Sequence, residues 1–311
     1  MGSANSILTM EISYLTYQQI NKPKWDACIQ NADNGLIYAY SFYLDAMAKH
    51  WDALVLGDYE AVMPLTWNKK YSIHYLYQPA FTACLGVFGK SIIAETIDAF
   101  LKAIPAKFKY WDIYFNPGNL FNLSDFNLHE RMNYVLYLDA DYGSLYKAYR
   151  DNIKRNIKKS ELYGLNIDKN IGITAVIKLA KEQAGTCTAV DDDFIRFEKL
   201  FHFLYKDAKA TTYAVYTKEK LLMASAVFFF SHGRAYYIMV GNHPNGKTLG
   251  ASHALINAFI KDHAGQNLLL DFEGSDIPSL AFFYSSFGAR EEKYGAIKLN
   301  RLPGVVKWLK K

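Results

Sequence analysis

Residues 235–260 read AYYIMVGNHPNGKTLGASHALINAFI, and three local patterns follow one another in this stretch. The opening residues are rich in aromatic and β-branched side chains, which predicts a strand. The Asn, Pro and Gly residues after them predict a loop, and the apolar residues that follow recur at helical spacing. A glycine-containing loop that opens onto a helix presents free N–H groups at the positive end of the helix dipole. Such an end favours a phosphate group.

The stretch belongs to an order of elements that occurs twice in the chain. In the C-terminal half, strands at TTYAVYT, LLMASAVFFF and AYYIMVG precede a helix at 249–263 and the strand NLLLDF. In the N-terminal half, a hairpin in ALVLGDYEAVMPLTW and the strand SIHYLYQP precede a helix at 92–104 and the strand YWDIYF. The repeated order predicts an α/β protein with mixed sheets, built from two copies of one unit. We place the two domains at 1–130 and 131–311.

A basic segment opens the second domain. Asp141 to Tyr163 is predicted as one helix that ends at Gly164, because four apolar residues in it recur near helical spacing. Its cations are Arg150, Lys154, Arg155, Lys158 and Lys159. Such a run is either a solvated helix face or a surface that holds phosphates. On the second interpretation, Arg155 and Lys158 are candidates for substrate binding.

Composition and charge narrow the class of protein. Half of the residues are hydrophobic, 16% are aromatic and 21% are charged, which indicates a packed globular chain. The part before Asp141 has 10 basic and 13 acidic residues, and the part from Asp141 onward has 25 basic and 17 acidic residues. We therefore expect a phosphate-bearing ligand to be held by the second half.

The three cysteines, Cys28, Cys84 and Cys187, are far apart and have no spacing that would hold zinc. This pattern favours a reducing cytoplasm and predicts no metal site. No apolar run reaches the length of a membrane span, and the N-terminus lacks the order of a signal peptide. The first residues, MGSANS, match the loose N-myristoylation pattern at Gly2, a match that chance or a cloning remnant also explains.

A second stretch, DFEGSDIPSLAFFYSSFGA at 271–289, follows the last strand of the repeated order. Asp271 and Glu273 alternate onto one side of an extended chain, at the strand end where active sites of open α/β sheets lie. Tyr284 ends the short helix after them, and a phenol there can protonate a departing thiolate. The alternatives are that Tyr284 is a core aromatic residue and that the acids cap the helix. His253 and His263, in contrast, are expected on the outer part of the preceding helix.

The loop and the tyrosine together resemble the GNAT superfamily of acetyl-CoA-dependent N-acyltransferases. Its phosphate loop reads Gln or Arg, two residues, Gly, any residue, then Gly or Ala; here Asn245 and Thr248 depart from it while Leu249 and Gly250 match. FYSSFGA resembles the Tyr-x-x-x-Gly-Phe close of the family, with Tyr284 at the tyrosine position. The resemblance implies that an acyl-CoA is bound by Val240, Asn245, Gly246, Lys247, Thr248, Leu249, Gly250 and Ala251. An ordinary strand-turn-helix is the alternative for this loop.

The basic helix, the strand LLLDFEGS and the FYSSFG close also resemble the FemABX-like branch, in which two GNAT-like domains are fused. FemABX enzymes transfer an amino acid from aminoacyl-tRNA to a peptidoglycan precursor. They tend to carry Lys where Tyr284 lies, and several have a long charged coiled-coil insertion that this chain lacks.

The resemblance implies an N-acyltransferase in which an amine attacks an acyl-CoA thioester directly. Tyr284 would be the acid, and Glu273 or a water the base; Arg155, Lys158 and Asp271 would bind substrate. The acceptor would be a small-molecule or peptidoglycan-precursor amine. Two alternatives stay open. One is an aminoacyl-tRNA-dependent transferase of the FemABX type, for which tRNA is a partner, and the other is a non-catalytic binding or scaffold protein that kept the fold.

Overall fold

The computed structural model describes residues 11–183, 189–274 and 276–302. The Gly2 pattern and Cys187 lie outside these residues. The chain forms two compact units. One unit runs to Glu130 and resumes at Tyr294, and the other is Arg131–Lys293. The sequence analysis assigned the chain from Tyr294 onward to the second domain, but the described part of it, residues 294–302, groups with the first unit, where Ala296 lies opposite Tyr114.

The elements up to Glu130 begin with a strand and alternate between helix and sheet. The strands are β1 (Ile12–Leu15), β2 (His50–Leu56), β3 (Ala61–Lys70), β4 (Ile73–Tyr77), β5 (Phe88–Gly89) and β6 (Phe108–Tyr114). The α-helices are α1 (Lys22–Asn31), α2 (Ser41–Met47) and α3 (Ala94–Ala103), and single 3-10 turns lie at Tyr17–Gln19, Ile37–Ala39 and Pro117–Asn119.

The remaining elements continue in the same style. The strands are β7 (His129–Tyr137), β8 (Asn166–Lys169), β9 (Ala210–Tyr216), β10 (Leu222–Ser231), β11 (Arg234–Asn242), β12 (Leu269–Asp271) and β13 (Arg290–Asn300). The helices are α4 (Tyr142–Ala148), α5 (Asp151–Leu162), α6 (Ile173–Gln183), α7 (Asp191–Lys206), α8 (Gly246–Leu249), α9 (Ala251–His263) and α10 (Pro278–Ser285). No helix in the described ranges is both long and apolar enough to cross a bilayer.

The first unit is built on a sheet of order β1-β2-β3-β4-β6-β13, with β5 added beside β3. Its pairs are antiparallel except β4 with β6, which are parallel because α3 lies between them in the chain. α3 buries Ile97, Phe100 and Leu101 in a core that also contains Trp111 of β6. The amphipathic spacing of α3 is therefore explained by a single buried face.

The second unit has a sheet of order β7-β12-β11-β10-β9-β8. Again one internal pair is parallel, β11 with β12, and the crossover between them is α9. On one face, Phe259 of α9 stacks on Phe228 of β10 with the ring centroids 3.8 Å apart. On the other, Phe197 of α7 stacks on Phe229 at 5.3 Å. Neighbouring strand residues point to opposite faces, so both faces of β10 are covered and its sequence is mostly apolar.

The two units share the predicted order of hairpin, strand, loop, crossover helix and parallel strand. It is β2-β3, β4, α3 and β6 in the first unit, and β9-β10, β11, α9 and β12 in the second. The mixed α/β prediction and the repeat are therefore confirmed.

The single helix predicted from Asp141 to Tyr163 was wrong, because the chain is extended at Tyr149 and Arg150. The backbone N–H of Arg150 donates to the carbonyl of Ser286 at 2.9 Å instead of continuing the helix. This contact joins residues that are far apart in sequence. The local spacing therefore gave no sign of the break.

Candidate functional site

The parallel pair of the second unit is short. β12 pairs with β11 only where Leu269–Asp271 face Arg234–Tyr236, while β11 runs on to Asn242. The chain after β12 turns toward β7, and the N–H of Phe272 donates to the carbonyl of Tyr134 at 3.0 Å. Within the described residues, the last part of β11, which includes Val240, therefore has no strand on that side. We call this point, where β11 and β12 diverge, the cleft edge.

Tyr284 lies at this divergence. It is the one residue of α10 that is buried, and its ring stacks on Phe272 with the centroids 4.5 Å apart. Burial raises the pKa of Tyr284 to about 12, and the charge of Glu273 adds to the shift. No described residue forms a hydrogen bond with its hydroxyl. The ring of Tyr284 therefore packs in the core, as the alternative of a core aromatic residue predicted. Its hydroxyl has no hydrogen-bond partner among the described residues.

Glu273 follows the strand end in a left-handed backbone conformation, with φ of 63°. A non-glycine residue in this conformation is strained, and such strain clusters at functional sites. The N–H of Glu273 donates to Oδ1 of Asp271 at 2.8 Å, so the chain turns where the sequence suggested it would stay extended. The alternation of Asp271 and Glu273 onto one side of an extended chain was therefore wrong. Because of this turn, the carboxylates of Asp271 and Glu273 lie in different environments.

Asp271 belongs to a buried polar network behind the cleft edge. Its carboxylate accepts from Nη1 of Arg234 at 2.6 Å and from Nδ2 of Asn133 at 2.9 Å. Glu292 accepts from both terminal nitrogens of Arg234 at 3.0 Å. Because the oxygens of Asp271 are engaged by these groups and by the N–H of Glu273, the geometry suits Asp271 to positioning the turn.

The predicted phosphate loop is helical from Gly246 onward. The loop contains α8 and then passes through Gly250, at φ of 74°, into α9. A Cβ on Gly250 would lie 2.4 Å from the carbonyl oxygen of Asn156, and one on Gly246 would lie 2.4 Å from that of Met223. Both glycines are therefore required where the chain packs against itself.

The rest of the loop leaves polar groups accessible. Asn245, Lys247 and Thr248 are exposed, while Leu249 is partly buried and Ala251 is buried. α5 packs against both α8 and α9, which brings the basic helix alongside the loop. Arg155 and Lys158 are exposed on α5, and neither forms an ion pair with another described residue.

The sequence analysis missed three further groups near the cleft edge. The His253 ring lies against Phe283 at 4.9 Å, edge to face, and its Nδ1 is buried without a partner among the described residues. Burial lowers the pKa of His253 to about 4. The expectation that His253 lies on the outer part of its helix was wrong, because α10 covers that side of α9.

Tyr149 is the second missed group. Its hydroxyl is likewise buried without a partner in the described chain, and its ring packs on Phe287 at 5.3 Å. A tyrosine in the apolar stripe of a helix was a signal for Tyr149. No local signal marks His253, since only tertiary contacts place its ring.

Tyr237 was also missed. It lies on β11 just beyond the paired residues, and burial, with a smaller contribution from Tyr284, raises its pKa well above the usual value. No grouping of three His, Cys, Asp or Glu side chains that could hold a metal ion occurs within the described ranges. At the cleft edge lie the buried phenols of Tyr284 and Tyr237 and the partly buried carboxylate of Glu273.

No protein-family model matches the sequence, and no curated protein is detectably similar to it. Comparison of structures is informative. The chain is similar to FemX with a TM-score of 0.65 and 13% identity, over 97% of this chain and 100% of that one. A conserved protein of unknown function from Bacteroides thetaiotaomicron gives a TM-score of 0.58 and 12% identity, over 94% and 100% of the two chains.

A tandem GNAT protein from the clavulanic acid biosynthesis pathway is also similar, with a TM-score of 0.53 and 10% identity over 94% of this chain and 100% of that one. These likenesses establish the fold. The chain has a tandem GNAT-like fold of the FemX kind, as the repeated order of elements and the resemblance to the FemABX-like branch predicted.

Proposed function

We propose that this protein is an N-acyltransferase that moves an acyl group, such as acetyl, from an acyl-CoA to an amine. The observation that carries the proposal is the divergence of β11 from β12 beside Tyr284 and Glu273. The GNAT-like fold supports an acyltransferase, and the accessible cations beside the loop support a phosphate-bearing donor. The acceptor would be a small-molecule or peptidoglycan-precursor amine.

The donor would lie along the tail of β11 with its pyrophosphate at α8 and the start of α9. Free N–H groups of the first turn of α9 and the Lys247 ammonium would face the phosphates. Arg155 and Lys158 would add positive charge from α5. Val240, Asn245, Thr248, Leu249 and Ala251 would line the remaining contact, while Gly246 and Gly250 would keep the loop close to its support.

In the reaction, a neutral amine attacks the thioester carbon, the C–N bond forms and the C–S bond breaks. The proton of the amine passes to Glu273 or to a water, and the departing thiolate is stabilised by Tyr284. A phenol of pKa about 12 holds its proton more tightly than a thiol of pKa about 8.5. Full transfer would cost about 5 kcal/mol, so the main contribution of Tyr284 is a hydrogen bond to the sulfur as charge develops there.

The second candidate is a FemABX-type transfer from aminoacyl-tRNA to a peptidoglycan precursor. It is supported by the likeness to FemX over nearly the whole chain and by the exposed cations of α5. Phosphate contacts with tRNA would release counterions, so binding would fall steeply with added salt. A non-catalytic binding protein is the outcome if neither donor binds.

The testing experiment is calorimetric titration with acetyl-CoA and a longer acyl-CoA. We expect saturable binding, and we expect Lys247→Glu to weaken it by at least about tenfold through charge repulsion. Lys178→Glu, an exposed change on α6, is the matched control and should bind normally. Absence of binding to any acyl-CoA would refute the proposal, and titration with aminoacyl-tRNA would then decide between the two remaining candidates.

A further inference from the structure

The start of α10 is apolar on all sides, yet most of it is in water. Its sequence PSLAFFYS is almost entirely hydrophobic, and Tyr284 is its one buried residue. Ile277 is 58% exposed, Leu280 38% and Phe282 53%. A helix that is hydrophobic all round is normally buried, so this exposure calls for a covering partner.

The exposed end is held firmly. At its base, Asp276 pairs with Arg131 at 2.6 Å and accepts from the N–H of Met132 at 3.1 Å. At the other end, the carbonyl of Ser286 accepts from the N–H of Arg150 at 2.9 Å. The apolar side chains are therefore presented by an anchored helix and are not the frayed end of a loop.

The positions of these side chains around the helix indicate whether the covering partner is a protein or a lipid bilayer. Leu280 and Phe282 are two residues apart, which separates them by about 200° around an α-helix. A protein surface covers one side of a helix, whereas the boundary region of a bilayer surrounds a helix that enters it. A partner that covers both side chains at once is thus better matched by lipid than by a folded surface.

The positive charge beside α10 favours a lipid with an anionic headgroup. The guanidinium of Arg150 lies 5.1 Å above the ring of Phe282. Lys154 follows one turn later on α5 and donates to the backbone carbonyl of Lys147 at 3.1 Å, so the positive charge of Arg150 continues along the start of α5. Basic side chains beside an inserted apolar segment are attracted to anionic headgroups.

We propose that the α10 knob, defined as Ile277, Pro278, Leu280 and Phe282, inserts into the surface of a membrane that contains anionic phospholipid. The three cations Lys147, Arg150 and Lys154 bind the headgroups around it. The attachment is peripheral. It is independent of which donor the protein uses.

Co-sedimentation with vesicles tests the proposal. We expect the purified chain to bind vesicles in which about a third of the phosphatidylcholine is replaced by phosphatidylglycerol, and to bind pure phosphatidylcholine several-fold less. The double variant Leu280→Ser with Phe282→Ser should lower the partition coefficient by about tenfold or more. The matched control is Ile195→Ser with Phe203→Ser, which removes two exposed apolar side chains from α7, where Asp191 and Asp192 are acidic neighbours.

The outcomes separate cleanly. The proposal would be overturned if the wild-type chain did not bind anionic vesicles. It would also be overturned if the knob variant and the control variant bound these vesicles equally. A knob variant that loses tRNA binding while wild type binds no vesicles would also overturn it and assign the surface to nucleic acid. If the double variant fails to fold by circular dichroism, Phe282→Trp decides: brominated lipid should quench its added fluorescence, and unchanged quenching relative to wild type would refute insertion.

Discussion

The two parallel strand pairs of this protein are built alike and finished differently. In the first unit, the loop after β4 returns to fill the edge of β6: the N–H of Leu85 donates to the carbonyl of Tyr114 at 2.8 Å, and the N–H of Asn116 donates back to Leu85 at 2.7 Å. In the second unit, β12 ends after three residues and β11 runs on past it. One pair is closed by its own chain, and the other is left open.

The two pairs also differ in the polar side chains that lie beside them. Beside the closed pair, Asn116 and Asn119 are fully buried, and their amides bond to Leu85, Val87 and each other at 2.7 to 3.2 Å. Beside the open pair, the Tyr149 hydroxyl and His253 Nδ1 are buried without partners among the described residues. Unsatisfied buried groups cost free energy, so Tyr149 and His253 lower the stability of the open pair, and Trp67, whose Nε1 is also buried without a described partner, does so beside the closed pair.

The largest expected effect is at the closed pair. Asn119→Ala would remove the acceptor of the Val87 N–H and the donor to the Val87 carbonyl and leave buried groups unpaired. We expect the free energy of unfolding to fall by about 4 kcal/mol. Urea unfolding followed by circular dichroism measures it. A loss below about 1 kcal/mol would mean that the closure contributes little and would break the comparison.

We expect His253, beside the open pair, to make the folding stability sensitive to acid. The pKa of His253 is about 4 in the folded chain and about 6.5 when unfolded. The unfolded chain therefore takes up a proton first, so stability is full above pH 6.5 and is lost as the pH falls to 4, by up to about 3 kcal/mol. His253→Phe should reduce this loss while fitting beside Phe283. Equal acid sensitivity in the variant and wild type, measured by urea unfolding at both pH values, would assign the effect elsewhere.

Tyr284→Phe sharpens the comparison because its hydroxyl has no described partner. We expect the free energy of unfolding to stay within about 0.5 kcal/mol. We expect turnover of acyl-CoA to fall about a hundredfold, as for loss of one transition-state hydrogen bond. Unfolding curves and steady-state kinetics measure the two quantities. Unchanged turnover where chemistry limits the rate would remove Tyr284 from the mechanism.

The smallest expected effect is on acyl-CoA binding, when cations are removed from the helix beside each pair. Lys102 of α3 pairs with Asp98 and Asp125, both at 2.7 Å, whereas Arg155 and Lys158 of α5 form no ion pair in the described chain. Arg155→Gln with Lys158→Gln should weaken acyl-CoA binding by about five- to tenfold and flatten its salt dependence. Lys102→Gln should leave the calorimetric dissociation constant unchanged. A loss of binding free energy in Lys102→Gln that is about half the loss in the double variant would show that both act through net charge.

The sequence predicted what depends on neighbouring residues. Apolar alternation and turn residues placed the strands and crossover helices of both units, and their repetition gave the tandem architecture. The left-handed Gly164, with φ of 64°, ends α5 as expected. Each of these features is decided within a few positions of the chain.

The sequence could not supply contacts between distant segments. The break at Arg150 depends on the carbonyl of Ser286, and the commitment of Asp271 depends on Arg234. The burial of His253 depends on Phe283. Of the predicted site, the structure brings Tyr284 and Glu273 together and leaves their roles as a proposal.

The tight contact of Gly250 with the Asn156 carbonyl has an evolutionary consequence. Selection for folding alone would preserve this glycine, even in a descendant that had lost every ligand. The Tyr284 hydroxyl has no such protection, because phenylalanine would fill the same space beside Phe272. In a lineage that had lost the catalytic activity, Gly250 would be retained, whereas Tyr284 would be free to be replaced. Among relatives that use acyl-CoA, the tyrosine, and not the glycine-containing loop, is therefore the position at which active and inactive forms should be distinguished.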